Sequence, residues 1–422
     1  MKHTPLIIVR GCGDIGSAIA HLLFLQGAQV ILHDERRPAH TRRGMAFTDA
    51  LFDGNAMLEG VEARCVTLSD NTMDAARPTN HLTVMGTDFD AVVSTHVPDV
   101  LVDARMRKRD VPDDQRHLAE LVVGLGPGFT VGLNCSVAIE TAWGDDLGAL
   151  VTSGSTSYLA GEPRLLDAVG RERFVYAARD GIWQTHMRVG DAVSAGQQVA
   201  KLAGKEVYAP LIGTLRGLSH DGVSVVAGQK VVEVDPRANA NVFGIGMRPR
   251  AIARGVSRST GLEPSKADCF FGFEGVMEQT LDCMPMRVRM TLDLCGRKVS
   301  LAQWRTLPLP TRETILLAHS GTDVERARIT QYLLHAAQIH GLGELAIVPV
   351  AVAAWCRGES VPQQVSEGLR AAGLRTITPP TWLSLSPRQR FALVKLTRPG
   401  HTRNLQLAMQ EFGIMPSLTI ET

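Results

Sequence analysis

The sequence predicts an α/β domain of the Rossmann type at the N-terminus, a small β module after it, and an all-α domain at the C-terminus. Three observations carry this prediction. A G-x-G-x-x-G loop sits between two apolar strand-like runs, short alternating strands repeat internally, and the last third is rich in helix-capping signals. The domains fall at residues 1–165, 175–250 and 267–416, with a Ser/Gly/Pro-containing linker at 251–266.

The first element, Leu6 to Arg10, is a short run rich in Ile and Val, as in a strand buried on both faces. Gly11-Cys12-Gly13-Asp14-Ile15-Gly16 follows directly. A helical pattern comes next, with Ile15, Ala18, Ile19, Leu22 and Leu23 on one face and Gly27 as its stop. Gln29 to His33 is the second strand, closed by Asp34, 18 residues after Gly16. In this context each glycine has a physical task. Gly11 permits a tight turn, Gly13 lets backbone N–H groups approach a pyrophosphate, and Gly16 lets the helix pack against the strand. The helix N-terminus then offers unpaired donors and partial positive charge to phosphate oxygens, and Asp34 can accept from ribose hydroxyls. The following Glu35, Arg36 and Arg37 leave NAD against NADP open. Asp14 is unusual in such a loop, because a carboxylate beside a pyrophosphate is repelled unless a cation or hydrogen bond intervenes; as a plain structural residue it would cap the helix.

Farther along, Arg42 and Arg43 precede a helical-looking Met45 to Phe52. Asp90 to Ser94, Val100 to Asp103 and Leu121 to Gly124 read as strands. The last of these enters Gly124-Leu125-Gly126-Pro127-Gly128-Phe129. Ligands of open α/β sheets lie at C-terminal strand ends, so this loop is expected to face the first glycine loop. The candidate cofactor-binding set is therefore Gly11, Gly13, Asp14, Gly16, Asp34, Arg42, Arg43, Gly124, Gly126 and Gly128. Asp103 to Arg109 is basic over its second half and reads either as a solvated face or as an anion-binding edge.

Composition narrows the function classes. At 422 residues the chain exceeds one ordinary core, and 45% hydrophobic content is that of a globular protein. A net charge of +1 provides no bulk attraction to nucleic acid or an anionic membrane. No run of 18 uncharged apolar residues suggests a membrane span, and Met1-Lys2-His3-Thr4 leads into a run too short for a signal-peptide core. The expected location is the cytoplasm. The seven cysteines form no C-x-x-C pair and read as buried thiols of a reducing compartment.

Several N-terminal runs together resemble the selenium-dependent molybdenum hydroxylase system protein family. They are Val9 to Ile15, Arg42-Arg43 before Ala46-Phe47, Val102 to Met106 with Lys108, Gly124 to Phe129, and Ile139-Glu140-Thr141. The resemblance spans about residues 5–250 and implies a role in maturing molybdenum hydroxylases. This chain departs from the family in having Ala142-Trp143-Gly144-Asp145-Asp146 where Arg-Gly-His is expected, and Cys12 where Ala or Gly is expected.

The second module shows its repeat at an offset of 32 residues: Gly181 matches Gly213, Gly190 matches Gly222, Val193 matches Val225, and Gly196-Gln197 matches Gly228-Gln229. Two such halves can bury what neither could alone. The pattern, with Tyr208-Ala209-Pro210 and Gly213, resembles a biotinyl/lipoyl-like hammerhead barrel. Lys205 lacks the flanking residues of a modified carrier lysine and reads as an exposed turn residue, which leaves the module as a spacer or docking surface.

In the last third, Thr322-Asp323-Val324-Glu325 is a capping box for a helix ending near Gly341, and Ser386-Pro387-Arg388-Gln389 opens another. The runs Phe270 to Glu274, Cys283 to Met286, Leu292 to Gly296, Gln389 to Leu396, Arg398 to His401 and Glu411 to Gly413 resemble the nitrate reductase-associated protein family, a small helical group. Cys283 and Cys295, with His401, fit no zinc spacing. Arg390, Lys395, Arg398 and His401 form a basic cluster that reads as a solvated helix face or as a docking surface for an acidic partner.

Together the two resemblances imply an accessory factor for a molybdenum enzyme such as nitrate reductase. It would carry a small nucleotide ligand, either NAD(P) or a molybdopterin-type nucleotide cofactor. An NAD(P)-dependent oxidoreductase is the alternative, with His96 and Glu140 as the nearest proton donors, and a non-catalytic scaffold is a further one.

Overall fold

The computed structural model describes residues 4–68, 79–107, 110–158, 163–275, 280–348, 354–357 and 360–415. The chain forms two compact units, Met1–Glu263 and Pro264–Thr422. Lys108 and Arg109 of the basic segment lie outside the described residues.

The first unit opens with β1 (Leu6–Arg10), α1 (Asp14–Leu25), β2 (Gln29–His33), α2 (Ala50–Asp53), β3 (Asn55–Leu58) and β4 (Val61–Cys65). It continues through β5 (Leu82–Met85), α3 (Phe89–His96), β6 (Val100–Asp103), β7 (Leu121–Leu125), β8 (Val137–Ile139) and β9 (Leu150–Val151). These strands form one nine-stranded sheet in the order β3-β4-β5-β2-β1-β6-β7-β8-β9. From β4 to β8 all neighbours are parallel, and only the two edge strands run antiparallel. Chain direction reverses its sideways progress between β1 and β6, so the connections that leave these two strands diverge there and open a crevice at their C-terminal ends. Ile7, Ile8 and Val9 are fully buried, as the uninterrupted apolar run requires.

Three expectations need correction. Asp90 to Ser94, expected as a strand, lies in helix α3, which Asp88 caps by accepting from the Ala91 N–H. Its apolar run Ala91-Val92-Val93 is too short for its period to separate strand from helix, and the cap decides. Within Met45 to Phe52 only a 3-10 turn (Arg43–Met45) and the short α2 form. The expected linker 251–266 is largely helical: α4 (Met247–Ser259) packs against α1, and Ser257 donates to Gln26 Oε1 at 2.7 Å. Gly255 is there for close approach, since a Cβ would overlap the Gly148 carbonyl oxygen. This cover explains why Ile15 through Leu25 are all buried, not just the predicted face.

Between sheet and α4 come β10 (Phe174–Tyr176), β11 (Gly181–Gln184), β12 (Ala192–Val193), β13 (Gln198–Leu202), β14 (Lys205–Tyr208), β15 (Gly213–Leu218), β16 (Ser224–Val225) and β17 (Lys230–Asp235). They hydrogen-bond as two four-stranded sheets, β10-β17-β15-β12 and β14-β13-β11-β16. The repeat is thus a structural one: β11, β12 and β13 correspond to β15, β16 and β17. The short strands cross over, β12 pairing with β15 and β16 with β11. Gly181 and Gly213 share extended-side positive φ values of 157° and 158°. Trp183, Leu215, Leu218 and Val231 to Val234 fill the core between the sheets, except for Glu233. Lys205 is exposed at the start of β14, beyond the turn at Ala203-Gly204.

The second unit is helical, with α5 (Lys266–Cys269), α6 (Met286–Leu294), α7 (Leu301–Thr306), α8 (Leu309–Leu317), α9 (Asp323–Ile339), α10 (Gln363–Ala371), α11 (Pro379–Ser384), α12 (Pro387–Leu396) and α13 (Leu405–Glu411). Both predicted capping boxes are present, at Thr322/Glu325 and Ser386/Gln389. Phe391, Leu393, Trp382 and Leu369 centre its core. No helix among the described residues is long and apolar enough to cross a membrane.

Candidate functional site: the glycine-loop edge

The C-terminal edge of the parallel strands gathers most of the predicted residues. Gly11 leaves β1 with φ 117°, and a Cβ there would press on the backbone of Ala104 and Arg105, where the chain leaves β6. A Cβ on Gly16 would overlap the Gly11 carbonyl oxygen, so helix and turn approach as closely as the motif requires. Gly13 precedes α1 and carries no side-chain cap. Its open side is faced by the His40 imidazole, 3.4 Å from where a Cβ would be.

Asp34 reaches back to this loop. It accepts from the Cys12 N–H at 2.5 Å, from the Glu35 N–H at 2.8 Å, and bonds the His40 ring at 2.8 Å. Burial would raise the Asp34 pKa, but His40 and the backbone donors outweigh it and hold the carboxyl below its ordinary value. His40 is correspondingly raised, the bond to Asp34 outweighing burial. Asp34 therefore braces the loop.

Asp14 has the cation that its position demands. Arg42 Nη1 is 3.0 Å from its Oδ2, and the Ile15 N–H is 3.1 Å from its Oδ1. Arg42 also forks onto Glu233 in β17, at 2.9 and 3.1 Å. Arg43, by contrast, turns away from the loop: it donates to the Leu218 carbonyl and to Asp49, and braces β15.

The second glycine loop lies two strands over on the same edge. A Cβ on Gly126 would meet the Thr141 hydroxyl and the Met106 methyl, so this loop and Gly11 flank the exit of β6 from opposite sides. Gly124 is required because a Cβ there would overlap the Phe129 ring, and Gly128 (φ 93°) approaches Pro112. Asp103 at the end of β6 is buried, paired with Arg105 and accepting from Gln115 at 2.8 Å.

The proton-donor candidates are placed otherwise. His96 ends α3 just before β6, at the opposite end of the sheet. Glu140 is close to the edge, but its carboxylate accepts from the N–H groups of Thr141, Ala142 and Ser157 at 2.6 to 2.7 Å. Burial opposes ionisation, yet these donors win and keep its pKa low. It is a structural anion.

Sequence reading missed the charges contributed by the β module. Glu233 is fully buried and gathers Arg42, Lys230 at 3.1 Å and Arg173 at 3.4 Å. Desolvation alone would raise its pKa; Arg42 and Lys230 reverse this and hold it far below the usual carboxylate range. The signal was present in Val231-Val232-Glu233-Val234, since an acid inside an apolar strand needs buried partners. Arg248 at the start of α4, held by the Thr141 carbonyl at 2.9 Å, interacts electrostatically with Asp14, Arg42 and Glu140.

In the second unit, the expected basic cluster is not a single surface. Arg390 is buried and donates to the Trp355 carbonyl at 2.8 Å, and Lys395 pairs with Asp293 at 2.6 Å, while Arg398 and His401 are exposed. The Cys295 thiol donates to the Arg326 carbonyl at 3.6 Å. Among the described residues no three of His, Cys, Asp or Glu gather as a metal site.

Comparison with known proteins assigns the two ends differently. Over 252 residues the chain is 34% identical to the Escherichia coli (strain K12) protein called Uncharacterized protein YqeB; the match covers 60% of this chain and 46% of that one. The chain thus spans about half the length of this curated relative. Among solved structures, the product-bound Ectoine utilization protein EutE (DoeB) from Ruegeria pomeroyi is 12% identical with a TM-score of 0.19, over 56% of this chain and 86% of that chain. A succinylglutamate desuccinylase from Silicibacter sp. TM1040 is 10% identical with a TM-score of 0.18, over 55% and 84%. Scores this low tie neither fold nor function to those proteins. Residues 270–412, which make up most of the helical unit, carry the family described as Conserved nitrate reductase-associated protein.

Proposed function

We propose that this chain is an accessory, maturation-type factor for a molybdenum enzyme, with a nitrate reductase as its client. The observation that carries this reading is the nitrate reductase-associated family over residues 270–412. In the proposal the helical unit docks the client. The N-terminal part is a Rossmann-type domain that seats a nucleotide, either NAD(P) or a molybdopterin-type nucleotide cofactor, and the lipoyl-like β module is a spacer without a modified lysine.

Support for the nucleotide half comes from convergence at one sheet edge. The uncapped start of α1, Asp34 at the end of β2 and the β6 and β7 exits meet where open α/β sheets take their ligands. The oxidoreductase alternative loses ground because His96 is at the far end of the sheet and Glu140 is saturated by backbone donors.

Two measurements test the reading. Nitrate reductase should be captured from the native host by the full chain and not by a chain lacking residues 264–422; equal capture by both refutes docking through the helical unit. Mass spectrometry of small molecules released from the purified full chain should find a nucleotide. A nucleotide-free protein that also fails to bind added NAD(P)H or a molybdopterin nucleotide refutes the ligand half.

A further inference from the structure

A group of cations beside the glycine loop outnumbers its carboxylates. Glu233 is fully buried and receives Arg42, Arg173 and Lys230, with Arg216 at 3.6 Å. Arg216 is shared with Asp235 at 3.2 Å, and Asp235 is itself already paired with Arg237 at 2.6 Å. Arg42 is also the partner of Asp14. Arg248 adds another charge in the electrostatic field of Asp14 and Glu140, and among the described residues no carboxylate lies within ion-pair distance of it. Six cationic side chains thus gather around Asp14, Glu233 and Asp235, with Glu140 acting on Arg248 and Asp167 on Arg237 only at longer range.

The imbalance has a direction. Arg173 and Arg216 lie deep, whereas Arg42 and Lys230 each keep 30% of their side-chain surface exposed and Arg248 is half-buried. The three outward cations border Asp14, the first residue of α1, on the loop side of the module. Burial lowers the pKa of Lys230, Arg216 and Arg248, and repulsion from Arg42 adds to it, directly behind burial for Arg216 and behind the attraction of Glu233 for Lys230 and of Asp14 for Arg248. A phosphate oxygen beside such a set would gain charge-assisted hydrogen bonds.

We propose that Arg42, Lys230 and Arg248 form a seat for a phosphate or pyrophosphate group, with Arg42 from the segment after β2, Lys230 from the β module and Arg248 from α4. The inference rests on the nucleotide reading for what carries that group, and it deepens that reading. The ligand is a phosphorylated compound whose anionic part is held by side-chain cations as well as by backbone amides at Gly13. Asp14 then has a purpose, since it positions Arg42 and is itself neutralised.

The test uses the full chain and inorganic pyrophosphate, followed by titration calorimetry at low and moderate salt. Saturable binding that weakens with salt is expected, with a loss of about tenfold or more in the Lys230→Gln/Arg248→Gln variant. The charge-retaining Lys230→Arg variant should stay within about threefold of the parent, which separates lost charge from lost packing. Absence of binding to the parent chain, or equal affinity in the double Gln variant, overturns the seat. ADP distinguishes the two failures. If ADP still binds the double Gln variant but not Gly13→Val, the nucleotide reading stands and the cationic seat falls. If neither pyrophosphate nor ADP binds the parent chain, both fall.

Discussion

Replacing Glu233 by Gln keeps its shape and deletes a buried charge on which four cations converge. Breaking a buried pair by removing one partner costs about 3–5 kcal/mol. Arg173 is 3% exposed and would be left without its counter-ion, whereas Arg42 and Lys230 retain 30% exposure and recover part of the loss from water. A cost near the lower limit, about 3 kcal/mol, follows, which is roughly a hundredfold in a local opening equilibrium. Hydrogen exchange of the full chain reads this locally. Amides of β15 and β17 should exchange about a hundredfold faster, while those of α12 in the other unit should not change. Acceleration below about tenfold, or equal acceleration in α12, would refute the role given to this carboxylate.

The same group sets an acid limit. Its folded pKa lies below its unfolded value, so its stabilisation is complete above the ordinary Glu range near 4.3 and is lost as pH falls through the folded value. Exchange protection of β17 should fall at acid pH in the parent chain, and this fall should be flatter in Glu233→Gln. Gly16→Ala must part α1 from β1 and should cost about 1–3 kcal/mol or more, whereas Gly13→Ala meets only the His40 ring at 3.4 Å and should cost under about 1 kcal/mol; similar melting shifts for the two would contradict the packing described. Gly255→Ala should loosen α4 from the sheet and make the 247–259 segment sensitive to proteases, and unaltered cleavage would count against that docking. Trp304→Phe removes the donor to the Leu281 carbonyl (2.6 Å) and should cost the helical unit about 1–3 kcal/mol in urea unfolding.

Local chemistry was readable wherever a residue's task is local. The glycine loop, the strands of Leu6–Arg10 and Gln29–His33, the 32-residue repeat and the two capping boxes follow from backbone conformation and period. What escaped depends on partners distant in sequence. Gly255 looks like a linker residue until Gly148 is seen against it, 107 positions away. Arg390 looks solvent-facing until Trp355 and Cys356 supply carbonyls for its guanidinium. Arg42 and Arg43 are adjacent and alike, yet one serves Asp14 and the other Leu218. For Asp14 the sequence raised the right question, a carboxylate in need of a cation, but the answer came from 28 residues downstream.

The crossed placement of β12 and β16 has a consequence for how the module could be divided. Each half lends its shortest strand to the other half's sheet, and β10 and β14 also cross, so a chain cut at Gly204 leaves two pieces, each with two unfilled lanes and two surplus ribbons. A lone half can satisfy its backbone only by clasping a twin, which makes the module, in effect, a handshake dimer written into one polypeptide.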